Sequence, residues 1–321
     1  MNRYTKIVII AVVILIVLGL IFSFSINKEE KEDDGKINIV VTTFSCYDFS
    51  KQIINEKANI IFLLGPGVDS HSYEPSTGDL AKIKNADIFV YVGGEMEKWV
   101  EKILETDTID TSKTRLIKVT DAVETIKEIE VDGAEEEEDE EDEVEGAFDE
   151  HIWTSPENAI EIVKYLGKKY GEIDIDNAKE YETNANNYAE EIKIVQTRIW
   201  EIVNNKKRDR LVFGDKMPMQ YFLNEFGLTA SAAFNGCSTE TEPGTKTITY
   251  LVKKVKEENI PVVLYIELST GKTAKAIAEE TGATEMQIQT LHNISKEDFN
   301  NGETYVSLMT RNLDVLKKAL Q

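Results

Sequence analysis

Short strand-like segments alternate with helical patterns in two separate parts of this sequence. The first series begins with the apolar, β-branched run Ile37–Thr43, and the second begins with Arg210–Phe213. Glycine, proline or polar residues bound each run, and an amphipathic segment follows it. Because parallel strands need helical crossovers, this alternation predicts α/β lobes, each with a parallel sheet flanked by helices.

A long helical pattern separates the two series. The segment Asn177–Asn205 carries an apolar stripe at helical spacing and contains no glycine or proline. A helix of this length spans roughly 45 Å, more than one small domain needs, so we predict one long rigid helix that joins two lobes. The predicted organisation is an N-terminal segment and spacer (1–36), a first lobe (37–176), the linking helix (177–206) and a second lobe (207–321).

The N-terminus has the pattern of a membrane-targeting segment. Arg3 and Lys6 precede the uncharged apolar run Ile7–Ile26, and an acidic cluster follows it. This charge order predicts a cytoplasmic amino end, with the rest of the chain outside the membrane. The run is about long enough to cross a bilayer, so we expect an uncleaved anchor, with a cleaved signal peptide as the alternative. No cysteine precedes Cys46, so lipid attachment at a processed N-terminal cysteine is not expected; whether Cys46 pairs with Cys237 stays open.

The chain is strongly acidic. It has 36 basic and 59 acidic residues, for a net charge of −23. Nucleic acid is therefore not an expected partner, because phosphate binding needs a basic surface, whereas this charge is compatible with cations. Thirteen of the acids lie in residues 132–150, a segment without a single base, which predicts a disordered acidic loop. The loop is either a solvated insertion or a weak cation trap.

The chain has 3 histidines, and each stands beside a structural boundary. His71 lies in the glycine-rich loop after the strand-like run Ala58–Leu64, His151 follows the acidic segment, and His292 follows the strand-like run Met286–Leu291. Open parallel sheets bind ligands at the carboxyl ends of their strands. We therefore predict that these loops converge on a divalent metal ion. Carboxylates at other strand ends are further candidates: Asp215, Glu240 and Glu267.

Three motifs are distinctive. They are GVDSHSYEPSTGDLAKIKNADIFVYVGGEMEKWVEKI (Gly67–Ile103), DEHIWTSPENAI (Asp149–Ile160) and YVSLMTRNLDVLKKAL (Tyr305–Leu320). Together they resemble the metal-binding solute-binding proteins of bacterial ABC transporters, which capture zinc or manganese outside the membrane, and the resemblance covers essentially Ile37–Leu320. It implies two α/β lobes joined by a long rigid helix. Family members often have a histidine-rich loop where this chain has the acidic one.

The resemblance also implies a set of metal ligands. By position it makes His71 and His151 the ligands of the first lobe, and Asp215 lies where family members usually have histidine or glutamate. The family's fourth ligand is often an acid after the third strand of the second lobe, but the stretch Ser269–Lys272 contains none. By elimination we assign that place to His292, because a closed zinc site needs four protein donors. The predicted ligands are His71, His151, Asp215 and His292, with Glu267 and Glu240 in reserve.

The predicted function is binding rather than catalysis. A divalent ion, zinc or alternatively manganese, would be captured between the lobes and delivered to the membrane permease of an ABC transporter. Three imidazoles and one carboxylate suit zinc. A secreted zinc hydrolase is disfavoured because the sequence has no HExxH motif. A surface adhesion protein, a role sometimes attached to this family, is the other alternative. We expect a monomer outside the cytoplasm.

Overall fold

The computed structural model describes residues 35–106, 108–134, 148–236, 238 and 242–321. Residues Ile37–Gln321 form one compact unit. The predicted N-terminal anchor, most of the acidic loop, Cys237 and Glu240 lie outside the described residues. Within these ranges no helix is both long enough and apolar enough to cross a membrane.

The first lobe contains a four-stranded parallel sheet. Its strands β1 (Ile37–Val41), β2 (Ala58–Phe62), β3 (Ile88–Tyr91) and β4 (Arg115–Lys118) lie in the order β2-β1-β3-β4. Successive residues of β1 and β3 belong to different core clusters, as expected for strands buried on both faces. The helices of this part are α1 (Phe44–Ile54), α2 (Thr77–Lys84) and α3 (Lys98–Glu105).

Two helices follow the first sheet in sequence. Helix α4 (Pro156–Ile173) begins after Ser155, whose side chain accepts a hydrogen bond from the backbone of Asn158. Helix α5 (Ala178–Asn204) has 27 residues and is therefore about 40 Å long. It buries its apolar stripe against α4 and α1. The uninterrupted helical pattern of the sequence thus corresponds to one continuous helix.

The second lobe repeats the architecture of the first. Its strands β5 (Arg210–Lys216), β6 (Thr229–Phe234), β7 (Val262–Ile266) and β8 (Thr284–Ile288) form a parallel sheet in the order β6-β5-β7-β8. The helices are α6 (Gln220–Phe226), α7 (Thr245–Glu258), α8 (Lys272–Thr281), α9 (Lys296–Asn300) and α10 (Tyr305–Leu320). In each sheet the strand order reverses between the first and third strands, which is where open α/β sheets bind ligands.

The two lobes share one hydrophobic core. A single cluster of buried side chains contains Val41 of β1, Ile192 of α5 and Leu264 of β7. Helix α10 packs on α5 and α1 as well as on its own sheet. The predicted class, two α/β lobes with a long connecting helix, is confirmed, and the shared core adds contacts between the lobes beyond that helix.

A strand and a strand boundary differ from the sequence prediction. Strand β4 was not predicted, because Arg115 and Lys118 enclose only two apolar residues and the strand is half exposed. The predicted strand Met286–Leu291 is instead β8, which ends at Ile288. His292 therefore lies in a turn beyond the sheet, and its direction is decided by the contacts of that turn.

The segment that leads into the acidic loop crosses from the first lobe to the second. The backbone N–H of Ile126 donates to the hydroxyl of Tyr221 at 3.1 Å. The carbonyl of Asp132 accepts a hydrogen bond from the N–H of Ala232, also at 3.1 Å. Residues 126–134 thus connect the lobes a second time, and they place the start of the acidic loop on the second lobe.

Candidate metal centre

All three histidines of the chain meet between the lobes. The ring centroids of His71 and His151 are 5.5 Å apart, those of His71 and His292 4.8 Å, and those of His151 and His292 5.2 Å. One nitrogen from each ring lies within 4.8 Å of the other two. We call these three residues the histidine cluster.

His71 is held by the loop between β2 and α2. Its backbone N–H donates to Asp69 Oδ1 at 2.9 Å, which closes a tight turn around Ser70. Gly67 has a φ of +81°, a left-handed conformation that glycine adopts without steric cost. Its N–H donates to the carbonyl of Ile294 in the second lobe at 2.8 Å. The loop is therefore fixed against the opposite lobe, and it places the imidazole of His71 in the cleft.

His151 lies just before helix α4 and is completely buried. Asp149 Oδ1 accepts two hydrogen bonds from it, one from the backbone N–H and one from ring Nδ1, both at 2.8 Å. The carboxylate fixes the tautomer with the proton on Nδ1, so the Nε2 lone pair is available as a ligand. The indole of Trp153 packs edge-on against the ring and forms one wall of the cluster.

His292 comes from the second lobe, in the turn after β8. Its ring stacks on Trp153 with a centroid distance of 6.0 Å and an interplanar angle of 24°. Its Nε2 is in hydrogen-bond contact with the hydroxyl of Ser70. The cluster is thus assembled from both lobes, with two rings from the first and one from the second.

The donor set fits a transition-metal ion. The Nε2 atoms of His71 and His151 are buried and have no hydrogen-bond partner, a costly arrangement for polar atoms unless something binds there. A tetrahedral zinc ion with bonds of about 2.0–2.1 Å separates its ligand nitrogens by roughly 3.3 Å. The ring nitrogens, which lie within 4.8 Å of one another, need to approach by at most about 1.5 Å to reach that spacing.

The protonation of the cluster also suits metal binding. Burial, followed by the neighbouring His151, lowers the pKa of His71 to about 3. Burial, followed by His71, His151 and the Lys216 ammonium, lowers the pKa of His292 well below its ordinary value. For His151, burial acts to lower the pKa, but the charge and hydrogen bond of Asp149, together with the charges of Glu150 and Glu128, outweigh burial and raise it. His71 and His292 are therefore neutral near pH 7, the form that binds metals.

Two of the predicted carboxylate candidates, Asp215 and Glu267, are not part of the histidine cluster. Asp215 Oδ1 accepts from the N–H of Lys216 at 2.8 Å and Oδ2 from the N–H of Ile266 at 3.4 Å, and Asp215 is not among the described residues that meet in the cluster. Glu267 is buried and uses both oxygens in hydrogen bonds to the turn that carries His292. Glu240 lies outside the described residues.

Comparison with protein families identifies the class. A family model described as ZnuA, zinc-uptake complex component A, periplasmic, matches residues 39–319. The chain belongs to the ZnuA family.

Individual ZnuA-family proteins show the extent of the similarity. The chain is 33% identical over 294 residues to the zinc-binding lipoprotein AdcA of Streptococcus pneumoniae, and the match covers 91% of this chain but only 57% of AdcA. It is 28% identical over 319 residues to the high-affinity zinc uptake system protein ZnuA of Bacillus subtilis, covering 99% of this chain and 98% of that protein. The crystal structure of the Zn(II)-bound ZnuA-like domain of S. pneumoniae AdcA superposes with a TM-score of 0.74 at 31% identity, over 89% of this chain and 99% of that domain.

A lysine lies beside the histidine cluster of this ZnuA-family chain. Lys216, at the end of β5, is 8% exposed, and its Nζ is 3.6 Å from Asp69 Oδ2. This ion pair joins the lobes next to His71 and places a positive charge at the edge of the site. Neither Lys216 nor Asp69 has a role in the ligand set predicted from the sequence.

One sequence pattern could have revealed the acids that orient the first two histidines. Both His71 and His151 stand in an Asp-x-His sequence. In both loops the aspartate Oδ1 accepts from the histidine backbone N–H, at 2.9 Å for Asp69 and 2.8 Å for Asp149. Only Asp149 also reaches its histidine ring. The repeated spacing predicts the turn, whereas the ring contact depends on the rotamer in the folded protein.

Proposed function

We propose that this chain is the extracytoplasmic zinc-binding component of an ABC transporter, and that His71, His151 and His292 hold the ion between the lobes. The observation that carries the proposal is the convergence of all three histidines of the chain on one buried point, with two ring nitrogens lacking any partner. An ion there would replace the Ser70 hydroxyl at His292 Nε2. Asp149 would strengthen the donor character of His151.

The donor chemistry supports zinc over manganese. Neutral imidazoles bind zinc well, whereas manganese prefers carboxylate and water oxygens, and no carboxylate among the described residues belongs to the cluster. Similar proteins are named for zinc binding or zinc uptake. Manganese is the alternative cargo.

Transport by this chain would use the family's mode of action. The zinc-loaded protein, as a monomer, would dock on a membrane permease and release the ion to it. The apolar run Ile7–Ile26 would keep the chain at the outer face of the membrane. The net charge of −23 would raise the local concentration of cations around the cleft.

Zinc and manganese titrations of the full-length protein test the proposal. We expect one tight zinc site per chain and weaker manganese binding. Because the chain contains only 3 histidines, one equivalent of zinc should shift every histidine signal in the NMR spectrum of protein labelled with 15N-histidine. His71→Ala should lower zinc affinity by at least about 100-fold, since it removes one of three protein donors.

Ser72→Ala in the same loop is the matched control. Ser72 is exposed, its hydroxyl donates only to the backbone of Asp69, and its replacement should leave zinc affinity unchanged. Equal zinc affinity of His71→Ala and the unsubstituted protein, or a histidine signal that does not respond to zinc, would contradict the proposed site.

A further inference from the structure

Two leucines near the histidine cluster have an unfavourable backbone conformation. Leu268 has a φ of +67° and Leu291 a φ of +63°. Bulky side chains rarely occupy this left-handed region, and such strain persists where surrounding contacts enforce it, often at functional sites. The other non-glycine residues with positive φ in the described ranges are asparagines, which tolerate it: Asn55 and Asn259. Leu291 directly precedes His292.

The carboxylate of Glu267 holds the backbone on both sides of Leu291. Its Oε2 accepts from the N–H of Thr290 at 2.7 Å. Its Oε1 accepts from the Thr290 hydroxyl at 2.8 Å and from the N–H of His292 at 3.0 Å. Glu267 is itself 5% exposed. These three bonds fix the direction in which the chain leaves the turn and presents the His292 ring.

Residues of the first lobe also form hydrogen bonds with the turn that carries His292. Trp153 Nε1 donates to the carbonyl of Thr290 at 3.1 Å. Asn293 Nδ2 donates to the carbonyl of Gly65 at 3.0 Å and to that of Val68 at 2.5 Å. These contacts fasten the residues on either side of His292, while the N–H of His292 itself is held by Glu267.

We propose that Glu267 is a positioning residue for metal capture. It does not bind the ion; it holds residues 290–292 in the left-handed turn so that the His292 imidazole meets those of His71 and His151. A Glu267 oxygen that moved to the ion would lose its bonds to the turn and release the strain at Leu291. The inference rests on the proposed function of the histidine cluster, and it removes Glu267 from the reserve ligands.

Glu267→Gln is the direct test. Glutamine has the same shape, but its amide nitrogen cannot accept, so at least one of the three donors in the turn loses its partner. We expect zinc affinity to fall by about 10- to 100-fold, the range typical of groups that orient a metal ligand. The Co(II)-substituted variant should also show a changed d–d spectrum, because the third imidazole is displaced.

Glu225→Gln is the matched control. Glu225 also accepts three hydrogen bonds, from Ser155 Oγ, Gln196 Nε2 and the N–H of Glu157, but it does not contact the cluster histidines. This variant should lose thermal stability and keep the zinc affinity and the Co(II) spectrum of the unsubstituted protein. An equal loss of zinc affinity in both variants would mean a general structural effect and would overturn the proposal.

A double-mutant cycle separates positioning from ligation. If Glu267 acts only through His292, Glu267→Gln should cost no further zinc affinity in the His292→Ala background. Additive losses would identify Glu267 as an independent ligand and overturn the inference. If Glu267→Gln does not fold, Thr290→Val can be used instead, because it removes a single hydrogen bond to the Glu267 carboxylate. This variant should lower zinc affinity several-fold, and unchanged affinity would also overturn the positioning role of Glu267.

The outcomes distinguish the two proposals. If the unsubstituted protein binds zinc but Glu267→Gln binds it equally well, the positioning role fails and the proposed function stands. If the unsubstituted protein binds no zinc, both fail.

Discussion

Asp149 offers a way to measure what one negative charge contributes to metal binding. The same oxygen, Oδ1, accepts from the backbone N–H and from ring Nδ1 of His151, both at 2.8 Å. Asparagine can keep an oxygen at that position, so Asp149→Asn removes the charge and preserves both hydrogen bonds. Asp149→Ala removes the charge and the bonds together. The pair of variants therefore separates electrostatics from orientation.

The expected magnitudes follow from these contacts. Carboxylates that orient a metal-binding histidine typically contribute 10- to 100-fold in affinity. We expect about a 10-fold loss of zinc affinity, about 1.4 kcal/mol, for Asp149→Asn and about a 100-fold loss, about 2.7 kcal/mol, for Asp149→Ala. The alanine variant also leaves the buried Nδ1–H of His151 without a partner, so the free energy of unfolding should fall by about 1–3 kcal/mol.

The pH dependence supplies an independent signature. Burial opposes protonation of His151, but Asp149, with smaller contributions from Glu150 and Glu128, outweighs burial and raises its pKa. A proton competes with zinc for Nε2, so zinc affinity should fall as the pH drops through that raised pKa. Asp149→Asn lowers the pKa of His151 and weakens this competition. The affinity gap between the variant and the unsubstituted protein should therefore be widest at pH 8 and narrow on acidification.

Competition with a chromophoric zinc chelator between pH 5.5 and 8 measures these affinities. Asp174→Asn is the control, because Asp174 is an acid at the junction of α4 and α5 that bonds Tyr181 and Asn177. It should leave zinc affinity unchanged. If Asp149→Asn equals the unsubstituted protein at pH 8, the carboxylate does not tune His151. A gap that widens toward low pH would refute the competition argument.

Three further predictions concern other parts of the molecule. Burial raises the pKa of Glu97 to about 7; the folded state therefore binds this proton more tightly than the unfolded chain, and the free energy of unfolding should fall as the pH rises from about 4.5 to 7. In urea unfolding series at pH 5 and 8, the decrease in the free energy of unfolding between the two pH values should be smaller for Glu97→Gln than for the unsubstituted protein, by up to about 3 kcal/mol. An unchanged pH dependence in the variant would contradict this prediction. Deleting residues 135–145, which contain ten acids, should leave the equilibrium zinc affinity nearly unchanged. The deletion should slow zinc association at low salt, as measured by stopped flow. A large loss of affinity would show that the loop supplies a ligand. Lys216→Met removes a positive charge beside the cluster and should tighten zinc binding on the order of fivefold, whereas weaker binding in the chelator assay would assign Lys216 a supporting role.

The sequence alone was sufficient for the fold class, although strand β4 was not predicted. Short β-branched runs and amphipathic segments are local patterns, so their alternation predicted two parallel sheets, and the uninterrupted pattern Asn177–Asn205 predicted α5. Polar residues at strand ends converge in any parallel sheet. That rule covered His71 and His292, which are 221 residues apart in the sequence, whereas His151 entered the prediction as a loop histidine after the acidic segment.

Only the tertiary structure decided which side chains meet and which support them. A residue at a strand end can point into the cleft or back along the sheet, and the choice depends on turn conformation and on contacts from the other lobe. Asp215 bonds to neighbouring backbone instead of joining the cluster. Glu267 bonds a turn more than twenty residues away. Leu291 takes a left-handed conformation that its residue type disfavours. Local propensity carries no information on such long-range contacts, so the direction of His292 could be learned only from the folded protein.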